Sequence, residues 1–142
     1  MKKGFTLLEL IVVIIILGVL ATLAVTQYLR MIEKSRGAEA RVVIGEIRTS
    51  QAAYRLQNGV CTLTDANVGI GSEIPGPAAG DCASTHWFWY DVTVAGANGF
   101  TVVATRCTTG GKVPTGTGTA GTVKLVADFS TGADTWTTTE QY

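Results

Sequence analysis

The chain contains 142 residues, with 11 basic and 11 acidic side chains, so its formal net charge is zero. This length permits one compact domain with an appendage. The zero balance argues against a nucleic-acid-binding protein, which needs an excess of Lys and Arg. Between Phe5 and Val25, 17 of 21 residues are apolar, and the exceptions are Thr6, Glu9, Gly18 and Thr22. The sequence therefore predicts an apolar N-terminal segment attached to a more polar body.

Residues 5–25 are long enough to span a membrane. As a helix rising about 1.5 Å per residue they would extend roughly 31 Å, close to the thickness of a bilayer's hydrocarbon core. Lys2 and Lys3 precede the segment, which predicts a cytoplasmic N-terminus. Two alternatives remain open, a plain signal anchor and a secretory signal peptide cleaved near Val19-Leu20-Ala21.

Glu9 distinguishes this segment from an ordinary anchor. An ionised carboxylate at depth in a membrane costs at least about 2.5–3.5 kcal/mol unless it is paired. If the chain is cut after Gly4, the new α-amino group of Phe5 lies one helical turn from Glu9, because residues i and i+4 share a helix face. That amine could pair with Glu9 of its own chain or of a neighbouring copy.

The stretch Lys2-Lys3-Gly4-Phe5-Thr6-Leu7-Leu8-Glu9-Leu10 and its aliphatic continuation resemble the class III leader of type IV pilins and of the related type II secretion pseudopilins. The resemblance covers about the first 30 residues. It implies that residues 1–4 are a leader, that a prepilin peptidase cuts between Gly4 and Phe5, and that Phe5 becomes N-methylated. It also implies that Glu9 sets the register of an incoming subunit. Losing the leader leaves 9 basic against 11 acidic side chains, a balance of −2.

Two further positions bear on the resemblance. Gly18 matches a glycine in the middle of the family's helix, and we expect it to serve close helix packing, because glycine is otherwise costly in a helix interior. Where many major pilins have a proline, this chain has Thr26. The proline kink is therefore absent, which leaves room for a straighter helix, as in some pseudopilins.

Residues 26–57 continue the helix as an amphipathic half. Apolar residues recur near helical spacing, and charged residues occupy the other faces. These charges indicate a solvated face, with salt bridges between subunits as the alternative. Asn58-Gly59 is a helix stop signal, because both residues tolerate the left-handed conformation. The apolar positions are Leu29, Ile32, Ala40, Val43, Ile44, Ile47 and Tyr54.

The rest of the chain predicts a loop followed by strands. Residues 58–86 read as an exposed connecting loop, because they are rich in Gly and Pro and lack periodicity. Residues 87–142 read as a sheet of three or four antiparallel strands, with Phe88, Tyr90, Val92 and Val94 on one face. Asn98-Gly99 signals a hairpin. The expected strands are Trp87–Val94, one around residues 100–104, Val123–Phe129 and Asp134–Thr139. The fold class is α+β, a long helix packed on this small sheet.

The three cysteines predict one disulfide in an exported head. We favour Cys61–Cys82, because it would attach the long loop to the end of the helix, with Cys82–Cys107 as the alternative. A metal site built from the cysteines and His86 lacks any Cys-x2-Cys pair, so no metal or other cofactor is expected.

Three other sequence patterns could indicate a binding site. The pattern Gly116–Gly121 matches G-x-G-x-x-G but precedes a strand instead of a helix, so it reads as a loop. Asp128 and Asp134 supply too few carboxylates for calcium. The aromatic run from His86 to Tyr90 reads as packing, with a subunit contact or an adhesion surface as the functional alternatives.

These expectations define a structural, non-enzymatic protein. The resemblance implies a subunit of a type IV pilus-like filament, with a type II secretion pseudopilin or a membrane-tethered binding domain as alternatives. Implied partners are prepilin peptidase, further copies and related pilins, an inner-membrane assembly platform, and membrane lipid before assembly. The implied location is the bacterial inner membrane, with the N-terminus cytoplasmic and the head outside, and later a surface or periplasmic filament.

Overall fold

The computed structural model describes residues 6–76, 82–110, 112 and 121–139. The chain forms two compact units, Met1–Glu33 and Lys34–Tyr142. One helix, α1 (Leu7–Asn58), begins in the first unit and ends in the second. The first unit contains the apolar segment. The second unit, called the head below, contains the hydrophobic core.

The end of α1 confirms the predicted stop signal, one residue beyond the expected Gln57. The Asn58 side chain donates a hydrogen bond to the Tyr54 carbonyl at 3.0 Å. Gly59 adopts a left-handed conformation with φ of 77°, and its N–H donates to the Arg55 carbonyl at 2.8 Å. These bonds satisfy carbonyl groups that the last turn would otherwise leave unpaired.

Four antiparallel strands follow in the order in which they occur in the chain: β1 (Phe88–Ala95), β2 (Gly99–Arg106), β3 (Thr122–Asp128) and β4 (Ala133–Thr138). Each strand pairs with the next, so the sheet is a simple meander. The ends of the predicted strands differ from the observed ends by one or two residues. At Gly99 a Cβ would lie 2.6 Å from the Ala127 carbonyl oxygen, so this approach between β2 and β3 requires glycine.

Val94 departs from the predicted face. The register between β1 and β2 shifts between Val92 and Val94, as expected for a β-bulge. An inserted residue moves the following side chains to the other side of the sheet. Val92 is therefore buried, whereas Val94 is 59% exposed. The expectation that Val94 shares a face with Phe88, Tyr90 and Val92 was wrong.

The core lies between one face of α1 and one face of the sheet. Alternate strand residues, as predicted, meet the helix positions that recur at three- and four-residue spacing. This packing confirms the α+β class, with a long helix on an antiparallel sheet. Its central members are Ala40, Val43, Ile44, Ile47, Phe88, Tyr90, Phe100, Val102, Val123 and Leu125.

The connection between α1 and β1 is not the exposed loop that was expected. Val68, the last residue of a short 3₁₀ helix at Asp65–Val68, and Ile70 just after it are almost fully buried. The connection covers the outer edge of β1, because the Tyr90 N–H donates to the Pro75 carbonyl. The Asp65 carboxylate accepts a bond from the Val92 N–H at 3.2 Å. Isolated apolar residues among glycines give no periodic signal, so the sequence did not reveal this packing.

Candidate functional site

The apolar part of α1 presents an uncovered hydrophobic surface. Each large hydrophobic side chain from Leu7 to Val25 is at least 42% exposed in the single chain. The helix is long and apolar enough to cross a membrane. Exposed apolar area of this extent requires lipid or a protein partner. Its members are Leu7, Leu8, Leu10, Ile11, Val12, Val13, Ile14, Ile15, Ile16, Leu17, Val19, Leu20, Leu23 and Val25.

Glu9 lies in the first turn of this helix and is held by Thr6. One Glu9 carboxylate oxygen accepts bonds from the Thr6 N–H at 2.9 Å and the Thr6 hydroxyl at 2.8 Å. The Glu9 N–H in turn donates to the Thr6 hydroxyl at 3.3 Å. These reciprocal bonds form a capping box, whose Thr-x-x-Glu pattern was readable in the sequence but was missed. Gly4 and Phe5, the expected cleavage and methylation positions, lie outside the described residues.

Gly18 has open space around it. A Cβ at this position would meet no atom within 4 Å, so the single chain gives no packing reason for glycine here. The hydroxyls of Thr22 and Thr26 donate to the carbonyls of Val19 and Leu23, which satisfies them within the helix. These polar side chains are therefore compatible with an apolar environment.

The disulfide joins Cys82 to Cys107, which corrects the favoured Cys61–Cys82 pairing. Cys61 is a buried free thiol whose N–H donates to the Gly96 carbonyl, at the turn between β1 and β2. Cys107 follows β2 at the opposite end of that hairpin. The two ends are separated by roughly 25 Å, the length of the strands. Burial raises the pKa of the Cys61 thiol, partly offset by the nearby charge of Arg55.

Trp87 connects the helix to the disulfide end of the sheet. Its backbone N–H donates to the Glu39 carboxylate at 2.7 Å. Its carbonyl accepts bonds from the Cys107 N–H at 2.9 Å and from the buried Arg106 guanidinium at 3.1 Å. The Arg36 guanidinium lies 4.1 Å from the centre of its ring. These contacts support the packing interpretation of the aromatic run at Trp87.

Tyr90 buries a hydroxyl that has no hydrogen-bond partner in the described part of the chain. The residue is fully buried, and its ring meets that of His86 edge to face with centroids 6.5 Å apart. Burial raises the pKa of the Tyr90 hydroxyl, and the negative charges of Glu39 and Glu46 raise it further. The group is therefore neutral over the whole physiological range.

The head half of α1 carries two charged rows. Basic residues recur every seven positions, which places them on one flank of the helix because seven residues are close to two turns. Glu39 and Glu46 have the same spacing on another flank, about 140° away. The basic row consists of Lys34, Arg41, Arg48 and Arg55.

Some members of these rows are engaged inside the head, and others are not. Arg48 pairs with Asp134 of β4 at 2.8 Å. Arg55 donates to Asn98 at the β1–β2 turn. Lys34, Arg41 and Glu46 are exposed and have no ion-pair partner among residues 6–76, 82–110, 112 and 121–139. The two rows thus leave unneutralised charge on both flanks.

The remaining candidates do not form a shared site. Asp128 accepts bonds from Ser130 in the β3–β4 turn, which holds the pKa of that carboxyl below its usual value, whereas Asp134 pairs with Arg48. His86 bonds to the neighbouring Thr85 hydroxyl. Among the described residues, no three His, Cys, Asp or Glu side chains are grouped to hold a metal. The glycine pattern at 116–121 lies outside the described residues except for Gly121.

Comparison with known proteins finds fimbrial proteins and one sequence motif. Residues 1–25 match the prokaryotic N-terminal methylation motif. Fimbrial protein EcpC of Eikenella corrodens is 32% identical over 109 residues, 77% of this chain and 65% of that protein. Type IV major fimbrial protein FimA of Dichelobacter nodosus is 39% identical over 71 residues, 50% of this chain and 44% of that protein. A fimbrial protein of Moraxella nonliquefaciens is 42% identical over 60 residues, 42% of this chain and 38% of that protein.

The matches therefore span less than two thirds of the length of these relatives. No solved structure matches the chain significantly.

Proposed function

We propose that the chain is a type IV pilin, a structural subunit of a type IV pilus-like filament. The observation that carries the proposal is the fully uncovered apolar surface of α1 from Leu7 to Val25, with one carboxylate, Glu9, in its first turn. Before assembly this surface is covered by lipid. In the filament it is covered by the same segment of other copies, and burial of apolar area drives polymerisation.

Processing precedes assembly in this proposal. The methylation motif at residues 1–25 supports cleavage between Gly4 and Phe5 by a prepilin peptidase, followed by N-methylation of Phe5. Lys2 and Lys3 keep the N-terminus of the precursor in the cytoplasm, and the head lies outside the inner membrane. An inner-membrane assembly platform then extracts the subunit into the filament. The protein acts as a building block and not as an enzyme.

Glu9 sets the register between subunits. The exposed Glu9 carboxylate already accepts two bonds from Thr6, which leaves capacity for a charged partner, because a carboxylate accepts more than two hydrogen bonds. The α-amino group of Phe5 from a neighbouring copy supplies that charge. Pairing removes the cost of an isolated carboxylate in an apolar environment.

The capping box makes a sharp experiment available. Gln can replace Glu in a capping box, so Glu9→Gln keeps the helix start but removes the charge, whereas Glu9→Ala removes both. We expect both variants to be processed and stored in the membrane normally, and both to fail in filament assembly. Normal filaments from Glu9→Gln would show that Glu9 acts only as a helix cap and would contradict the registry mechanism.

A pseudopilin and a membrane-tethered binding domain remain the competing functions. The matched relatives are named as fimbrial proteins, which favours the pilus over a secretion system. Exchange of residues 7–25 for an unrelated membrane helix separates polymerisation from tethering. A pilin loses assembly, whereas a tethered domain keeps its activity.

A further inference from the structure

We propose that the two charged flanks of α1 in the head form an intersubunit contact, in which the basic flank of one copy docks on the acidic flank of the next. This inference rests on the proposed filament function and names the second surface that the filament uses. The basic flank is defined by Lys34 and Arg41, and the acidic flank by Glu46 and Glu73 together with Glu39. The occupant of each flank is a second copy of this chain.

The basic flank carries charge that the head does not neutralise. Lys34 and Arg41 lie seven residues apart and are both exposed, and neither has an ion-pair partner in the described part of the chain. Arg48 continues the row but is already paired with Asp134. The row therefore offers two free cations about 10.5 Å apart along the helix axis.

The acidic flank mirrors this arrangement. Glu46 lies seven residues after Glu39, and with Glu73 of the connection it lines a recess of about 380 Å³ beside Ser50 and His86. Glu46 and Glu73 are exposed and have no cationic partner in the described part of the chain. Glu39 is engaged with Trp87 and, at 3.5 Å, with Lys112, so it is a weaker member. A recess with two unpaired carboxylates fits a guanidinium group, which binds carboxylates through a planar fork of donors.

The spacing of the basic and acidic rows determines how far a neighbouring copy must be shifted along the helix axis. Lys34 and Glu39 differ by five residues, and so do Arg41 and Glu46. A neighbour displaced along the helix by five residues, about 7.5 Å, therefore aligns both pairs at once. In the proposed Glu9–Phe5 pairing the carboxylate likewise has the higher residue number, by four residues.

The contact is heterologous, which suits a filament. The basic flank of each copy is used by one neighbour and its acidic flank by another, so the association does not close into a dimer. Charge complementarity between such surfaces also fixes register and rejects wrong alignments, since like charges placed together repel each other. A single chain with both flanks is thus sufficient to extend the assembly.

Charge reversal with rescue tests the contact in cells that assemble the full-length chain. We expect Arg41→Glu and Glu46→Arg each to reduce the yield of sheared filaments about tenfold or more, because each places like charges together. The double variant restores the opposite pairing and recovers most of the yield. Subunit level in the membrane is measured for every variant. A double variant no better than either single one, with normal membrane levels, would overturn the contact.

Cysteine cross-linking provides a second readout that does not depend on yield. In filaments of an Arg41→Cys/Glu46→Cys variant, oxidation should produce a ladder of multimers. Within one chain these positions are more than 7 Å apart on different flanks, so they cannot bridge directly. An Arg41→Cys/Lys34→Cys variant, with both cysteines on one flank, is the matched control and should give no ladder. A ladder from the control pair alone would contradict the proposed arrangement.

Failure of this inference is distinguishable from failure of the proposed function. If Glu9→Gln abolishes filaments while Arg41→Glu and Glu46→Arg assemble normally, the flank contact is wrong and the pilin function stands. If Glu9→Gln and the flank variants all assemble normally, the assembly mechanism proposed above is wrong as well.

Discussion

At the scale of single residues, Tyr90 and Glu9 show how much a side chain's surroundings add to its sequence pattern. Strand alternation correctly predicted that Tyr90 faces the core. It could not predict that the hydroxyl has no described partner, because that depends on which helix residues lie opposite. The capping box at Thr6 and Glu9 is the reverse case, since the Thr-x-x-Glu spacing alone is sufficient to predict it.

Tyr90→Phe should keep the ring packing and remove the unpaired hydroxyl. An unsatisfied buried polar group costs about 1–3 kcal/mol, so we expect the free energy of unfolding to stay unchanged or rise by up to about 1 kcal/mol. Chemical denaturation of the full chain in mild detergent measures this. Tyr90→Ala, which also removes the ring, should lower it by about 3–5 kcal/mol. A large loss of stability in Tyr90→Phe would show that the hydroxyl does have a partner.

Asp65 predicts a pH dependence. Burial raises the pKa of this carboxyl above the usual 3.8, the bond from the Val92 N–H opposes that rise, and Asp91 adds to it. The folded state therefore keeps the proton to higher pH than the unfolded state does. The contribution of Asp65 to stability must decline as pH rises from about 3.8 through the raised pKa.

Asp65→Asn keeps an oxygen that can accept from Val92 and removes the charge. We expect this variant to lose the Asp65 part of the pH dependence in that window and to be at least as stable as the parent at pH 7. Unfolding curves measured between about pH 4 and pH 7 test this. An unchanged pH profile would show that Asp65 titrates normally in the folded state.

At the scale of elements, the hairpin of β1 and β2 explains two of the corrected predictions, the face of Val94 and the disulfide pairing. A bulge between Val92 and Val94 turns Val94 outward, and bulges leave no reliable mark in a single sequence. The same hairpin brings Cys82 and Cys107 together at one end and leaves Cys61 at the other. The pairing could have been derived from the predicted hairpin, since Cys82 precedes its first strand and Cys107 follows its second.

Removal of the Cys82–Cys107 bridge should destabilise the head. The bridge spans 25 residues, and closure of a loop of that size contributes about 3 kcal/mol by limiting the unfolded chain. We expect a Cys82→Ser/Cys107→Ser variant to lose about that amount in denaturation of the full chain. Cys61→Ser is the control and should retain the bridge, which free-thiol counting verifies. Equal stability of the bridged and unbridged chains would contradict this assignment.

At the scale of the whole molecule, the apolar residues of α1 divide into two classes that the periodicity predicted. After Lys34, the apolar residues on one face (Ala40, Val43, Ile44 and Ile47) are buried against the sheet, whereas the large hydrophobic side chains from Leu7 to Val25 are exposed in the single chain. The sequence predicted the long helix and the sheet because both have strong periodic signals. It could not predict the buried connection, nor which charges the head neutralises, because both depend on contacts between distant residues.

The central claim is that the chain polymerises through its processed N-terminal helix. Mass spectrometry of the subunit in sheared filaments tests it most directly. We expect a chain that begins at N-methylated Phe5, lacks residues 1–4 and carries one disulfide. Filaments devoid of this chain, or a chain that remains in the membrane with an intact Met1 or a start at Thr22, would contradict it.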